Sequence, residues 1–294
     1  MRKPNFFIVG APKCGTTAMC EYLKVHPEIY MPKKKELHFW GSDLNSKWFI
    51  KDVNKYFENF LDASNEKMVG EASVWYLYSK KAANEIKEYD PNSKIIIMLR
   101  NPVDMIYSQH SQFLYNGNEN ITDFGEALNA ENLRKEWIGI PKTAHFAEGL
   151  CYRETAKFTE QVQRYLNTFG RDNVHIIVFD DFKKNTAEVY KKTLKFLEVN
   201  NDFIIDFKVI NPNKKVRSSK IRYILQNPTF PGKNILPNVV RKSLGKLIEK
   251  VNTKYVPRPE MDIKIRKILQ AEFAPEIDKL SDLIKRDLRY WYLA

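Results

Sequence analysis

Cysteine is scarce in this chain of 294 residues: Cys14, Cys20 and Cys151 are an odd number at no spacing that suits a metal site or a disulfide framework. That scarcity excludes a cysteine-stapled secreted fold and argues for a reducing compartment. Long apolar runs are missing too. No stretch approaches the roughly twenty apolar residues that span a bilayer. The apolar run behind Met1-Arg2-Lys3 is shorter than a secretion signal needs. The expectation is a soluble, cytoplasmic protein without a transmembrane segment. Internal repeats, low-complexity tracts and nucleic-acid-binding signatures are also absent, so no nucleic acid partner is expected.

What is present is an ordinary globular composition, 43% apolar and 13% aromatic, which excludes a disordered chain. A formal net charge of +12 points to anionic partners or to a solvated lysine-rich face. Charge alone does not choose between them.

Phe6 to Val9 reads as a short buried strand, and Thr16 to His26 as a helix with Ala18, Met19, Tyr22 and Leu23 on one stripe, stopped by Pro27. Residues 69–78 look extended and 79–89 helical. "KIIIMLR", residues 94–100, is a continuous apolar run, as in a strand buried on both faces. A helix follows the Asn101-Pro102 turn. Residues 116–148 read as a polar loop, 152–169 as one amphipathic helix, 174–179 as a strand and 186–197 as a helix. "NPNKKVRSSK", residues 211–220, is a basic loop. Residues 227–259 hold five prolines around a basic amphipathic stretch, Val239 to Val251, read as a peripheral helix. The segment from Met261 to Leu293 is helical with an expected break near Pro275. Alternating strands and helices predict an α/β fold of the P-loop type, three layers with a central, mostly parallel sheet flanked by helices. The expectation is a single domain over 1–294, with 220–260 as a peripheral or acceptor-side subregion.

The first strand runs into "GAPKCGTT", residues 10–17. Gly10 and Gly15 allow backbone N–H groups to turn inward, the following helix contributes its positive end, and Thr16 and Thr17 add hydroxyls. A nucleoside-triphosphate loop carries lysine directly after its second glycine. Here Thr16 stands there and the lysine is Lys13, inside the loop. That arrangement fits one terminal phosphate with something attached to it; a structural turn is the bland alternative. Arg100, closing its strand, is a candidate clamp for a second phosphate. Ser108 follows eight residues later.

Together these segments resemble the sulfotransferases that use 3′-phosphoadenosine 5′-phosphosulfate (PAPS), nearest in motif to the heparan-sulfate-type branch and its bacterial relatives. "APKCGTT" is similar to their 5′-phosphosulfate loop, which implies donor contacts from Ala11, Pro12, Lys13, Cys14, Gly15, Thr16 and Thr17. "RNPVDMIYS" resembles their 3′-phosphate segment and implies Arg100 and Ser108 as ligands. "KKELHFW" resembles K-E-x-H-F-F, which makes Glu36 the general base with His38 beside it. The basic loop lies where the family closes on the nucleotide, nominating Lys214, Lys215 and Arg217. "GEASVWY" resembles the acceptor-side E-K-[TS]-P-x-Y segment and nominates Glu71, Ser73 and Trp75 for acceptor contacts. It departs from that pattern with Ala72 for lysine and Val74 for proline.

The resemblance implies in-line sulfuryl transfer from PAPS to a hydroxyl or amine, leaving adenosine 3′,5′-bisphosphate. Lys13 would neutralise the departing 5′-phosphate oxygen, and no metal is called for. A saccharide acceptor is favoured by the aromatic side chains Trp40, Trp48, Trp75 and Tyr76, with a small-molecule hydroxyl also open. Two other readings stand beside this one: a P-loop nucleotide or small-molecule kinase, and a non-catalytic nucleotide- or glycan-binding protein. The kinase is disfavoured by the displaced lysine and the lack of a clear acidic strand end for Mg²⁺.

Overall fold

The computed structural model describes residues 2–208, 210, 213–218, 248 and 251–293. They divide into two compact units, one of residues 1–105, 155–211 and 266–294, the other of 106–154 and 212–265.

The first unit is built on a five-stranded parallel sheet with strand order β2-β3-β1-β4-β5 and helices flanking it. Its strands are β1 (Phe6–Gly10), β2 (Ile29–Tyr30), β3 (Met68–Ala72), β4 (Lys94–Leu99) and β5 (Val174–Val178). β1 lies between β3 and β4, with Ile8 in register with Ala72 on one side and Ile96 on the other. Phe6 to Val9 and Ile95 to Leu99 have no exposed surface. Parallel strands covered on both faces need such unbroken apolar runs, which is why these two were legible. Loops at their carboxyl ends are where ligands of open α/β sheets bind.

β3 is closely packed at Gly70, where a Cβ would lie 2.2 Å from Phe6 Cζ and 2.4 Å from Met31 Sδ. Gly70→Ala is therefore expected to lower unfolding stability by about 1–3 kcal/mol, the usual cost of overpacking a core. A urea melt with unchanged midpoint would show that this contact is looser than it looks.

After α1 (Thr16–Lys24) come α2 (Val53–Phe57) and α3 (Ala82–Tyr89), the latter begun by the Ser79 hydroxyl accepting from Ala82 N at 2.9 Å. Residues 69–78 were expected to be extended throughout, but β3 ends at Ala72 and 74–78 form turns. The chain leaves the ladder there because Leu77 N donates to Val9 O at 2.8 Å, folding the segment over the end of β1. The helix expected over 152–169 is two pieces, α7 (Tyr152–Thr155) and α8 (Phe158–Phe169), the second burying Phe158, Val162, Tyr165 and Phe169. α9 (Phe179–Lys184) and α10 (Thr186–Phe196) follow β5. α11 (Ile263–Ile284) runs through Pro275 without the expected break, because Leu269, Phe273, Ile277 and Leu280 bury one face. That burial offsets the single hydrogen bond proline cannot make. α12 (Tyr290–Leu293) buries Trp291.

α4 (Pro102–Asn116) spans the division between the units. In the second unit the supposed loop 116–148 contains α5 (Phe124–Asn129) and α6 (Glu131–Lys135). Its centre is polar: Arg134 grips the buried Glu119 carboxylate with two nitrogens at 2.8 and 2.7 Å, and Tyr152 donates to the same group at 2.8 Å. The basic loop is in part a strand, β6 (Lys214–Val216), paired antiparallel with β7 (Thr253–Tyr255). Most of the basic stretch 239–251 lies outside the described residues. Among the described residues no helix is long and apolar enough to cross a membrane.

Candidate active site

The glycine loop leaves β1 and is tied to its neighbour by Ala11 N donating to Met98 O at 2.7 Å. Gly15 has φ +89°, and a Cβ there would sit 3.1 Å from the Phe179 ring, so both backbone and packing require glycine. Thr16 and Thr17 then open α1, whose first turn carries no acidic residue to compete for an anion. Lys13 sits mid-loop with φ +60°. Arg100 lies against Phe179, its guanidinium 4.9 Å from the ring centroid, and donates to Lys13 O at 3.3 Å. One arginine thus braces the loop that holds the lysine. Cys14 is wholly buried, its thiol turned to Pro12 O at 3.3 Å and pushed up by burial to about 12. It is a packing residue, and at its position the loop can offer a ligand only main chain. Ala11 is also wholly buried.

Beside this loop runs the segment carrying Glu36. Its backbone is pinned by Glu36 N donating to Ala72 O at 2.9 Å, and both Glu36 and His38 adopt positive φ, +65° and +49°. Four contacts converge on the Glu36 side chain and its neighbour. Lys35 Nζ is ion-paired with Oε1. His38 Nε2 lies 2.8 Å from Oε2, and Val74 N donates to Oε2 at 3.3 Å. Lys35 Nζ also lies 3.4 Å from Thr16 Oγ1, so one ammonium reaches from the carboxylate to the loop. Burial pushes the Glu36 carboxyl up, but the Lys35 charge and the His38 contact overcome it and hold the group well below the ordinary carboxylate range. Val74 stands where the resembled pattern has proline, and a proline there could not donate this hydrogen bond.

Glu71, Ser73 and Trp75, expected to meet the acceptor, are buried at 0%, 0% and 7% exposure. This corrects the expectation for Glu71 and Ser73, which lie beneath the Glu36 segment with no surface to offer a substrate. Glu71 lies on β3, all of whose residues are buried, and Ser73 follows directly after it. Tyr76 is equally buried, and Trp40 packs against Tyr56 and Tyr89, whereas Trp48 is exposed.

In the second unit Ser108 is 2% exposed and accepts from Arg258 Nη2 at 2.8 Å, with the same guanidinium 5.8 Å from the Tyr107 ring centroid. Lys214 Nζ lies 6.0 Å from the Tyr115 ring centroid, while Lys215 and Arg217 are exposed on and just after β6. Arg258 was not singled out from the sequence, and neither was Lys35. Lys35 stands in a run of three lysines, Lys33 to Lys35, and Arg258 lies in a proline-rich stretch without a motif.

A model of the sulfotransferase domain matches residues 3–278. The chain belongs to the sulfotransferase family. Its fold is similar to that of a sulfotransferase from Alicyclobacillus acidocaldarius, with 31% identity, a TM-score of 0.76 and 99% of each chain covered. Over 167 residues it is 29% identical to human carbohydrate sulfotransferase 15, covering 42% of this chain and 30% of that protein. Over 197 residues it is 24% identical to mouse heparan sulfate glucosamine 3-O-sulfotransferase 5, covering 67% of this chain and 54% of that protein. The chain thus matches about a third to a half of the length of these curated sulfotransferases.

Proposed function

We propose that this sulfotransferase-family chain moves a sulfuryl group from PAPS to a hydroxyl or amine of a saccharide, with Glu36 as general base. The observation that carries the reading is the Lys35 bridge, which joins the carboxylate to Thr16 of the phosphate loop. A passive binder has no evident use for a base held beside that loop, and a kinase is disfavoured by the displaced lysine. The saccharide class is supported by the names of the carbohydrate and heparan sulfate relatives and by the family's acceptor chemistry.

Glu36 is ionised at neutral pH and takes the acceptor proton as the acceptor oxygen or nitrogen attacks sulfur. The new bond to sulfur forms as the bond from sulfur to the 5′-phosphate oxygen breaks, and adenosine 3′,5′-bisphosphate leaves. Lys13 and the N-terminus of α1 stabilise the charge gathering on that oxygen. Lys35 acts on both sides. When its ammonium turns from Glu36 to the sulfuryl oxygens, it neutralises them and frees the carboxylate to become more basic. Arg100 serves the nucleotide while bracing the loop.

Calorimetry without metal is the first test. Adenosine 3′,5′-bisphosphate should bind with micromolar or better affinity, and labelled sulfate should pass from PAPS to at least one member of a saccharide set. A preference for ATP with Mg²⁺, or no transfer to any acceptor, would overturn the reading.

A further inference from the structure

The buried Glu71 carboxylate has three hydroxyls around it, and each of them faces the segment that carries Glu36. Ser73 Oγ donates to Glu71 Oε1 at 2.5 Å and accepts from His38 N at 3.0 Å. Tyr76 is hydrogen-bonded through its hydroxyl to Glu71 and accepts from Phe39 N at 2.9 Å and Trp40 N at 3.3 Å. Tyr56 donates to Glu71 Oε2 at 3.4 Å and accepts from Trp40 Nε1 at 3.1 Å. The pattern is the same three times: an N–H of the segment 38–40, a hydroxyl, then the carboxylate.

Proton count makes this arrangement directional. A backbone or indole N–H can only donate, so each hydroxyl oxygen must accept on that side and send its own proton elsewhere. An ionised carboxylate is an acceptor only and takes all three. A protonated Glu71 must itself donate to one of them. That hydroxyl then has no carboxylate oxygen left for its own proton and must turn it away, which disturbs its geometry towards the N–H it accepts from in residues 38–40. A buried donor without a partner is costly, so the segment shifts.

We propose that Glu71 is a positioning residue of the transfer reaction, whose ionised carboxylate orients the Ser73, Tyr76 and Tyr56 hydroxyls and through them fixes the His38–Trp40 backbone and the Glu36 carboxylate beside it. This rests on the reading of Glu36 as the base. It also accounts for a carboxyl with no exposed surface and no cation in direct contact among its named partners. The groups facing Glu71 are Ser73 of the turn after β3, Tyr76 of the same turn and Tyr56 of α2, with Glu36 and Tyr165 of α8 acting at longer range. Lys35 and His38 are in contact with Glu36. Burial pushes Glu71 up from the ordinary 4.5 to about 7, with the Ser73 and Tyr76 hydrogen bonds opposing and the Glu36 charge adding to the rise. The orienting carboxylate therefore forms as pH rises through neutrality, while Glu36 is already ionised.

The test uses the full chain and the isosteric Glu71→Gln, with Ser73→Ala and Tyr76→Phe as second variants. Hydrogen exchange followed by mass spectrometry, corrected for intrinsic rates, needs no acceptor. Protection at the His38–Trp40 amides should fall at least about tenfold in Glu71→Gln at pH 8, and in wild type it should fall as pH drops from 8 to 6. Turnover should drop by about ten- to a hundredfold, as for a misplacement on the order of 1 Å, with bisphosphate affinity unchanged. The wild-type acidic limb near pH 7 should vanish in the variant. Unaltered amide protection, or a limb that persists in Glu71→Gln and so belongs to another group, overturns the inference. Absence of transfer by wild type with the exchange results intact would instead reject the reading of Glu36 as base. Should Glu71→Gln not fold, reduced His38 protection in Ser73→Ala and reduced Phe39 protection in Tyr76→Phe support the inference, and unchanged protection in both overturns it.

Discussion

Replacing Glu36 by Gln should reduce turnover by about two to four decades, the range for losing a general base, while adenosine 3′,5′-bisphosphate binds as before. The amide keeps the shape and can still accept from Val74 N, so the segment stays in place. What it cannot do is take a proton at the moment of attack. Because Lys35 and His38 hold the wild-type carboxyl well below its ordinary range, Glu36 stays ionised across the neutral region. Its protonation therefore does not produce an acidic limb there. The linked stability has a definite sign. A depressed carboxyl contributes stability that is present above the ordinary value of 4.5 and is lost as pH falls below it. Wild type should therefore hold a constant stability margin over Glu36→Gln above pH 4.5 and lose that margin as pH falls below it. Steady-state kinetics decides the matter: a variant retaining more than about a tenth of wild-type turnover removes Glu36 from the role of base.

Lys13→Met should lower turnover by about two to three decades, comparable to removing one donor from a preorganised anion hole. The main chain of the loop should survive the change, because Arg100 is bonded to the Lys13 carbonyl rather than to its side chain. The loss can then be assigned to the ammonium. If that charge acts chiefly on the departing 5′-phosphate oxygen, turnover falls more than bisphosphate affinity does, since the charge there is greatest in the transition state. Single-turnover measurements with saturating PAPS, beside calorimetry of the bisphosphate, separate the two effects. An equal loss in both would make Lys13 a ground-state ligand only.

Legibility followed the kind of force at work. β1 and β4 could be read because strands covered on both faces demand unbroken apolar runs. The phosphate loop could be read because its glycine and hydroxyl positions are consecutive. Residues 116–148 read as a loop because Glu119 and Arg134 organise them, an ion pair that leaves no periodic signal. The Pro275 break did not occur because α11 buries an apolar face on either side of the proline. Lys35 is one of three consecutive lysines, and Arg258 meets Ser108 across 150 positions.

Residue types at adjacent positions determined the phosphate loop, the candidate base and the family to which the chain belongs. Consecutive residues share one local backbone geometry, so their chemistry is visible without a fold. Only the tertiary structure decided that Lys35 bridges Glu36 to Thr16, that Val74 supplies an N–H to the base, and that Glu71 lies under the segment instead of facing an acceptor. Those outcomes depend on which strand end lies beside which loop, and on the direction in which buried hydroxyls must turn their protons.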